Sequence, residues 1–159
     1  MAISGVTFDG CSVSARDHGV LFSGILPDGV LRGCDISYAG GVCTISPGYL
    51  IACGRVIEVE STTTVPVTGT QYSQIVLTID ASVPNFTLSS VASSSTVFPA
   101  LTQDDINDGS STTYQMELAV IDVGNNSVLS TAGSVAHPIR IVASVPTASS
   151  PDGIYLVTE

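Results

Sequence analysis

Between Gly29 and Glu60 the chain breaks into short apolar runs set off by glycine and proline. The runs are Gly29 to Ser37, Gly41 to Ser46, Tyr49 to Cys53 and Arg55 to Glu60, with Gly40-Gly41, Pro47-Gly48 and Gly54 between them. Runs this short between breakers predict consecutive β-hairpins. Val65 to Thr68 carries Pro66 and is expected at a sheet edge, where a missing N–H costs no ladder bond. Gln74 to Asp80 (QIVLTID) is the most apolar run, alternating Ile75, Leu77 and Ile79 with Gln74, Val76 and Thr78, and is expected in the centre of a sheet. Asn85 to Val91, Tyr114 to Val123 and Ser127 to Thr131 continue a meander, with Gly124-Asn125-Asn126 as a tight turn. Ser89 to Thr96 is nearly all Ser, Ala, Thr and Val and also admits a loop reading. After His137-Pro138 the residues Ile139, Ile141 and Val145 alternate, Pro146 to Pro151 breaks the pattern, and Ile154 to Val157 forms a last strand.

Two places depart from the β rhythm. Ala15 to Leu26 spaces Val20, Leu21, Phe22 and Ile25 as one or two helical turns would, despite Gly19 and Gly24. Thr102-Gln103-Asp104-Asp105 has the form of a capping box and predicts a turn of helix over 102–108, ending before Gly109. Val, Ile and Thr together make 49 of 159 residues, and branching at Cβ favours the pleat over the helix. The expected fold is mostly β: a compact sandwich or barrel-like domain of short antiparallel hairpins, with one short N-terminal helix. Residues 1–26 are read as a segment with that helix and 27–159 as a single β-rich domain, with no internal repeat.

Composition narrows the function. Four Arg, no Lys and fourteen Asp plus Glu give a net charge of -10, which argues against nucleic acid phosphates and anionic membrane surfaces as partners. Charged residues are only 11 %, against about 25 % in typical domains, while Ser and Thr number 22 and 16. A chain so poor in charge covers its surface with hydroxyls, hides it in an assembly, or both. Without Lys to guard strand edges, the edges are expected to be paired or covered by a partner chain. The N-terminus, MAISGVTFDG, lacks the basic and apolar regions of a signal peptide, and no apolar run approaches the ~18 residues of a membrane span. Synthesis in a cytoplasm is the expected default.

Candidate chemistry is sparse. Cys11, Cys34, Cys43 and Cys53 show no C-x-x-C spacing, and only His18 and His137 could join them at a metal. Cys43 shares strand parity with Ile45, and Cys53 with Ile51, so the thiols read as small buried hydrophobes. Neither histidine belongs to a nucleophile–base motif, and G-x-S-x-G, H-E-x-x-H and Walker A patterns are absent from the sequence. Asp104, Asp105 and Asp108 do not match an EF-hand loop, and a capped turn explains them more simply than calcium does. Asp17, Asp28 and Asp35 make no better case. No catalytic, cofactor or metal residue is assigned, and the chain is read as a non-enzyme without cofactors. Sugar platforms usually stack on aromatic rings, which here are 6 % with no Trp.

From Gly24 to Val59 the chain runs GILPDGVLRGCDISYAGGVCTISPGYLIACGRVIEV. A strand ends in Ile45-Ser46-Pro47-Gly48, and the next closes at Cys53-Gly54-Arg55. Ser61-Thr62-Thr63-Thr64-Val65, the strand Gln74 to Asp80, an L-T-x-x-D turn and Leu118-Ala119-Val120-Ile121 follow in order. The series, from about Asp17 to Val123, resembles the small β-rich domains of tailed-bacteriophage baseplate and tail-fibre proteins. The shared motifs are structural turns, so the resemblance carries over no catalytic residue.

That resemblance implies a structural virion protein of the phage tail, made in the host cytoplasm, that joins copies of itself and a neighbouring tail or baseplate protein. A trimer or higher symmetric ring is expected. Fibre proteins follow such a domain with a shaft and tip. A chain running to Glu159 reads instead as an isolated attachment domain or a small separate baseplate subunit. Gly29, Pro47, Gly48 and Gly54 are the expected structural turns. The favoured interface is Val6 to Leu26, with Val20, Leu21, Phe22 and Ile25 docking on a partner; the same pattern equally fits a helix that caps its own sheet. The alternative is a module that binds a host-surface glycan or protein.

Overall fold

A computed structural model describes residues 13–83 and 85–135, and the backbone of two further strands at 139–142 and 154–157. Cys11, the 6–12 part of the expected docking segment, His137-Pro138 and the Pro146 to Pro151 break lie outside the described residues. One helix, α1 (Ala15–Ser23), precedes twelve strands: β1 (Gly29–Gly33), β2 (Ile36–Ala39), β3 (Val42–Ile45), β4 (Gly48–Ala52), β5 (Arg55–Val59), β6 (Thr63–Pro66), β7 (Tyr72–Asp80), β8 (Asn85–Ser93), β9 (Thr113–Asp122), β10 (Ser127–Thr131), β11 (Ile139–Val142) and β12 (Ile154–Val157). The mostly β class and the antiparallel hairpins are as the sequence predicts. β11 and β12 form a parallel pair, and among the described residues no sheet closes into a barrel.

The strands form two small sheets, β1-β4-β5 and β2-β3-β6, and one larger sheet in the order β10-β9-β7-β8. A single core cluster joins them. It takes Cys43 and Ile45 from β3, Leu50 from β4, Ile57 from β5 and Val65 from β6, packed with Ile75, Leu77 and Ile79 of β7 and Met116, Leu118 and Ile121 of β9. The two small sheets thus lie on one face of the large one, and the layer between them is where apolar area leaves water.

The expected Gly29 to Ser37 strand is divided in two. Gly33 and Cys34 take positive φ of 63° and 56°, so β1 goes to one small sheet and β2 to the other. The division is fixed by a close approach. A Cβ on Gly33 would lie 2.3 Å from the Pro47 carbonyl oxygen, and a Cβ on Gly48 would lie 2.3 Å from that of Arg32. Cys34 N–H donates to the same Pro47 carbonyl.

β7 is central, between β9 and β8. The alternation read in QIVLTID understates its burial, since Ser73 through Leu77 are all buried. β8 and β9 both run antiparallel to β7 and hence parallel to each other, which forces residues 94–112 to cross from one end of the sheet to the other. Thr102 N–H donates to Gln115 Oε1, and Gln115 N–H donates to the Thr102 carbonyl. That pairing holds Thr102 extended beside β9, so the helical turn expected over 102–108 does not form; only a turn at 106–109 is present. The loop reading of Ser89 to Thr96 also fails in its first half. β8 runs to Ser93 in unbroken register with β7, and the Ser90 hydroxyl meets that of Ser73 at 2.6 Å and accepts from Thr68 N–H.

Ile75 is fully buried between the layers. Ile75→Ala is expected to lower the unfolding free energy by about 2 to 5 kcal/mol in urea denaturation. An effect below 1 kcal/mol would show that the layer is not close-packed there.

Candidate functional site: a clamped helix with an apolar outer face

α1 begins with the capping box that 102–105 lacks. Ser14 Oγ accepts from Asp17 N–H at 3.2 Å, and Ser14 N–H donates to Asp17 Oδ2 at 2.8 Å. The Ser14 hydroxyl, which donates to Asp17 Oδ2 at 2.7 Å, and then the Ser14 N–H hold the Asp17 carboxyl below its usual range. The signal is the same S-x-x-D spacing that misled at Thr102. The helix stops at Ser23 rather than Leu26, because Ile25 N–H bonds the Phe22 carbonyl three residues back and breaks the four-residue ladder. Ile25 therefore sits in the loop beyond α1.

The face turned to the domain is nearly bare. Gly19 is the one buried residue of α1, and a Cβ there would lie 2.1 Å from Asn107 Oδ1 and 2.9 Å from Arg55 Nε. Gly54, at φ 70°, comes as close from the other side: its Cβ would lie 2.0 Å from the Gly19 carbonyl oxygen. Glycine at both positions lets a helix backbone rest on a turn backbone.

Asn107, with no exposed surface, organises the junction. Its Nδ2 donates to the Cys53 carbonyl at 2.8 Å, its Oδ1 accepts from Arg55 Nε at 2.9 Å, and its N–H donates to Asp105 Oδ1 at 2.7 Å. Arg16 of α1 donates from Nε to the Asn107 carbonyl and from its guanidinium to the Asp108 carbonyl at 2.7 Å. Asp28 extends the network, accepting from Cys53 N–H at 2.8 Å and from the Tyr114 hydroxyl at 2.5 Å. Buried polar groups of this kind are stable only when paired, and here every pairing but the local Asn107–Asp105 bond ties together segments far apart in sequence.

The junction's chemistry is structural. Burial, then the neighbouring Asp105, pushes the Cys53 thiol up against a lowering backbone bond at Ile106, so it stays protonated at neutral pH and is a poor nucleophile. Cys34 and Cys43 are buried free thiols, also raised by burial. Cys53 departs from the strand parity expected of it: β4 ends at Ala52, and Cys53 sits half-buried in the turn at φ 47°. The Ser110 side chain, and then its N–H donating to Asp108 Oδ1, lower the Asp108 carboxyl. Among the described residues no three of His, Cys, Asp and Glu converge as metal ligands would.

The outward side of α1 is apolar. At 100° per residue, Leu21 points away from Gly19 and Val20 to the side; they are 50 % and 55 % exposed, and Ile25 is 56 % exposed. Phe22 is half-buried. With Ala15 and His18 it lines a groove of about 380 Å³ whose far wall includes Val56, Ile79 and Phe86. His18 is exposed, its ring 6.3 Å from that of Phe22. Of the four sequence-chosen interface residues, three face solvent and one enters this groove. Of the four turns, Gly48 and Gly54 sit at the close approaches above. Gly29 starts β1, where a Cβ would lie 2.4 Å from the Gly133 carbonyl oxygen, and Pro47 lends its carbonyl to Cys34. Asn107, Asp28, Arg16 and Gly19 were not singled out for this role.

No family model and no curated protein matches the chain.

Gly19→Ala is expected to destabilise the fold by about 1 to 3 kcal/mol through overpacking, read in urea denaturation. A neutral or stabilising alanine, as in an ordinary helix, would contradict the close approach. Burial first, and then the bond to Asp28, hold the Tyr114 hydroxyl well above the usual phenol range. A folded-state value above the unfolded one means this contribution is complete below about pH 10 and is lost as pH rises above it. Tyr114→Phe should cost about 1 to 2 kcal/mol at pH 7 and flatten the decline above pH 10, leaving an earlier decline from the buried thiols. An unchanged alkaline limb would contradict the assignment.

Proposed function

We propose that the chain is a non-enzymatic assembly module, a structural protein of a tailed-bacteriophage baseplate or tail-fibre attachment that joins copies of itself to a neighbouring tail protein. One observation carries the assembly reading: Val20, Leu21 and Ile25 are held in water beside a helix locked to its domain. Apolar side chains carried at the surface on a backbone already held in place suit a contact with another protein, because less backbone freedom is lost on binding. The tail assignment itself is supported by the order of turn motifs from Asp17 to Val123, and the domain's two-layer form is compatible with it.

Antibody raised against the chain is expected to label purified virions at the tail in electron micrographs. Leu21→Asp, a surface change expected to shift stability by no more than about 0.5 kcal/mol, should leave the chain folded but missing from assembled particles. Virions free of the chain would overturn the proposal.

A further inference from the structure

The large sheet ends in an unusual edge. β8 bonds to β7 over nine residues, from Asn85 opposite Asp80 to Ser93 opposite Tyr72, without a bulge. Among the described residues no strand pairs with its other side; Thr68 alone reaches its main chain there, donating from Oγ1 to the Ser90 carbonyl at 3.4 Å. The opposite edge strand, β10, is shorter and carries a bulge between Val128 and Ser130. Bulges, prolines and charges are the usual guards of a free edge, and β8 contains none of them.

Charge marks the same place. The chain carries a net charge of -10, yet Ala81 to Gln103 holds no charged residue, the longest such run in the sequence. Two copies that repel over most of their surfaces can approach along this strand.

We infer that the free edge of β8 pairs antiparallel with β8 of a second copy, making one continuous sheet across a two-fold axis at Ser89. A two-fold register centred on Ser89 sets Phe86 opposite Ala92 and Leu88 opposite Ser90 on the core-side face. On the other face it sets Asn85 opposite Ser93 and Thr87 opposite Val91, with Ser89 opposite its own copy. Phe86 and Leu88 each meet a small side chain, and no like charges meet. Phe86, now 49 % exposed, gains cover from the second copy. The inference goes beyond the tail-protein reading and is independent of any neighbour. It also gives dimers or even-numbered assemblies in place of the trimer expected from the resemblance.

The test uses the full chain. Under reducing conditions, native mass across a concentration series should reach twice the single-chain mass, and salt, by screening the acidic surfaces, should shift the transition to lower concentration. Ser89 is exposed, so Ser89→Cys should fold. Facing Cα atoms in an antiparallel pair lie about 4.5 to 5.5 Å apart, within disulfide reach. Mild oxidation should therefore cross-link S89C at least tenfold faster than a control with Ser61→Cys, another exposed serine. A single-chain mass at every concentration, or cross-linking of S89C no faster than S61C, overturns the inference.

Discussion

Asn107 is the contact on which the rest depends. A carboxamide with no access to water must satisfy its polar atoms inside the protein, and this one does so through the Cys53 carbonyl and Arg55 Nε, while the Asn107 N–H donates to the Asp105 carboxylate. Its partners belong to the β4–β5 turn and to the crossover from β8 to β9, while Arg16 brings in α1 through the Asn107 carbonyl. Three segments far apart in sequence are thereby held at one point. The two glycines go with it: Asn107 and Arg55 leave Gly19 no room for a side chain, and the α1 backbone drawn close leaves none at Gly54.

The crossover exists because of sheet order. With β8 and β9 on either side of β7, the chain must travel the length of the sheet between them, and the route delivers Ile106 and Asn107 beneath α1. The arrangement leaves the helix with two kinds of surface. The side facing the domain holds Gly19 and Arg16, tied by hydrogen bonds, with Ala15 and the half-buried Phe22 at the groove; Leu21 faces water, with Val20 at the flank and Ile25 just beyond. Helices normally turn their whole apolar stripe inward. α1 turns only part of it inward, and the apolar residues left in water are what support the proposed assembly role.

Much of the β architecture was legible because strand and turn signals are local. The Gly40-Gly41 and Gly124-Asn125-Asn126 turns, the apolar β7 and the start of α1 can all be read from neighbouring residues. What was not legible depends on distant partners. The divided strand at Gly33-Cys34 arises from contact with Pro47-Gly48, and Thr102 is kept from capping a helix by Gln115. Ser89 to Ser93 becomes strand because β7 offers a register and Ser73 offers a hydroxyl. At the site, Val20, Leu21 and Ile25 could be chosen as surface residues, but the face that anchors the helix could not. Gly19 carries no hydrophobic signal, and the pairing of Asp28 with Tyr114 spans most of the chain.

Hydrogen exchange of the native protein, followed residue by residue along α1, tests most directly whether the helix is clamped. If Asn107 and the glycine contact lock it to the domain, the amides of Gly19 to Ser23 should exchange as slowly as those of the neighbouring strand β5, and Asn107→Ala should release them selectively while β7 stays protected. Exchange of those amides in the intact protein at the rate of an isolated nine-residue helix would contradict the account.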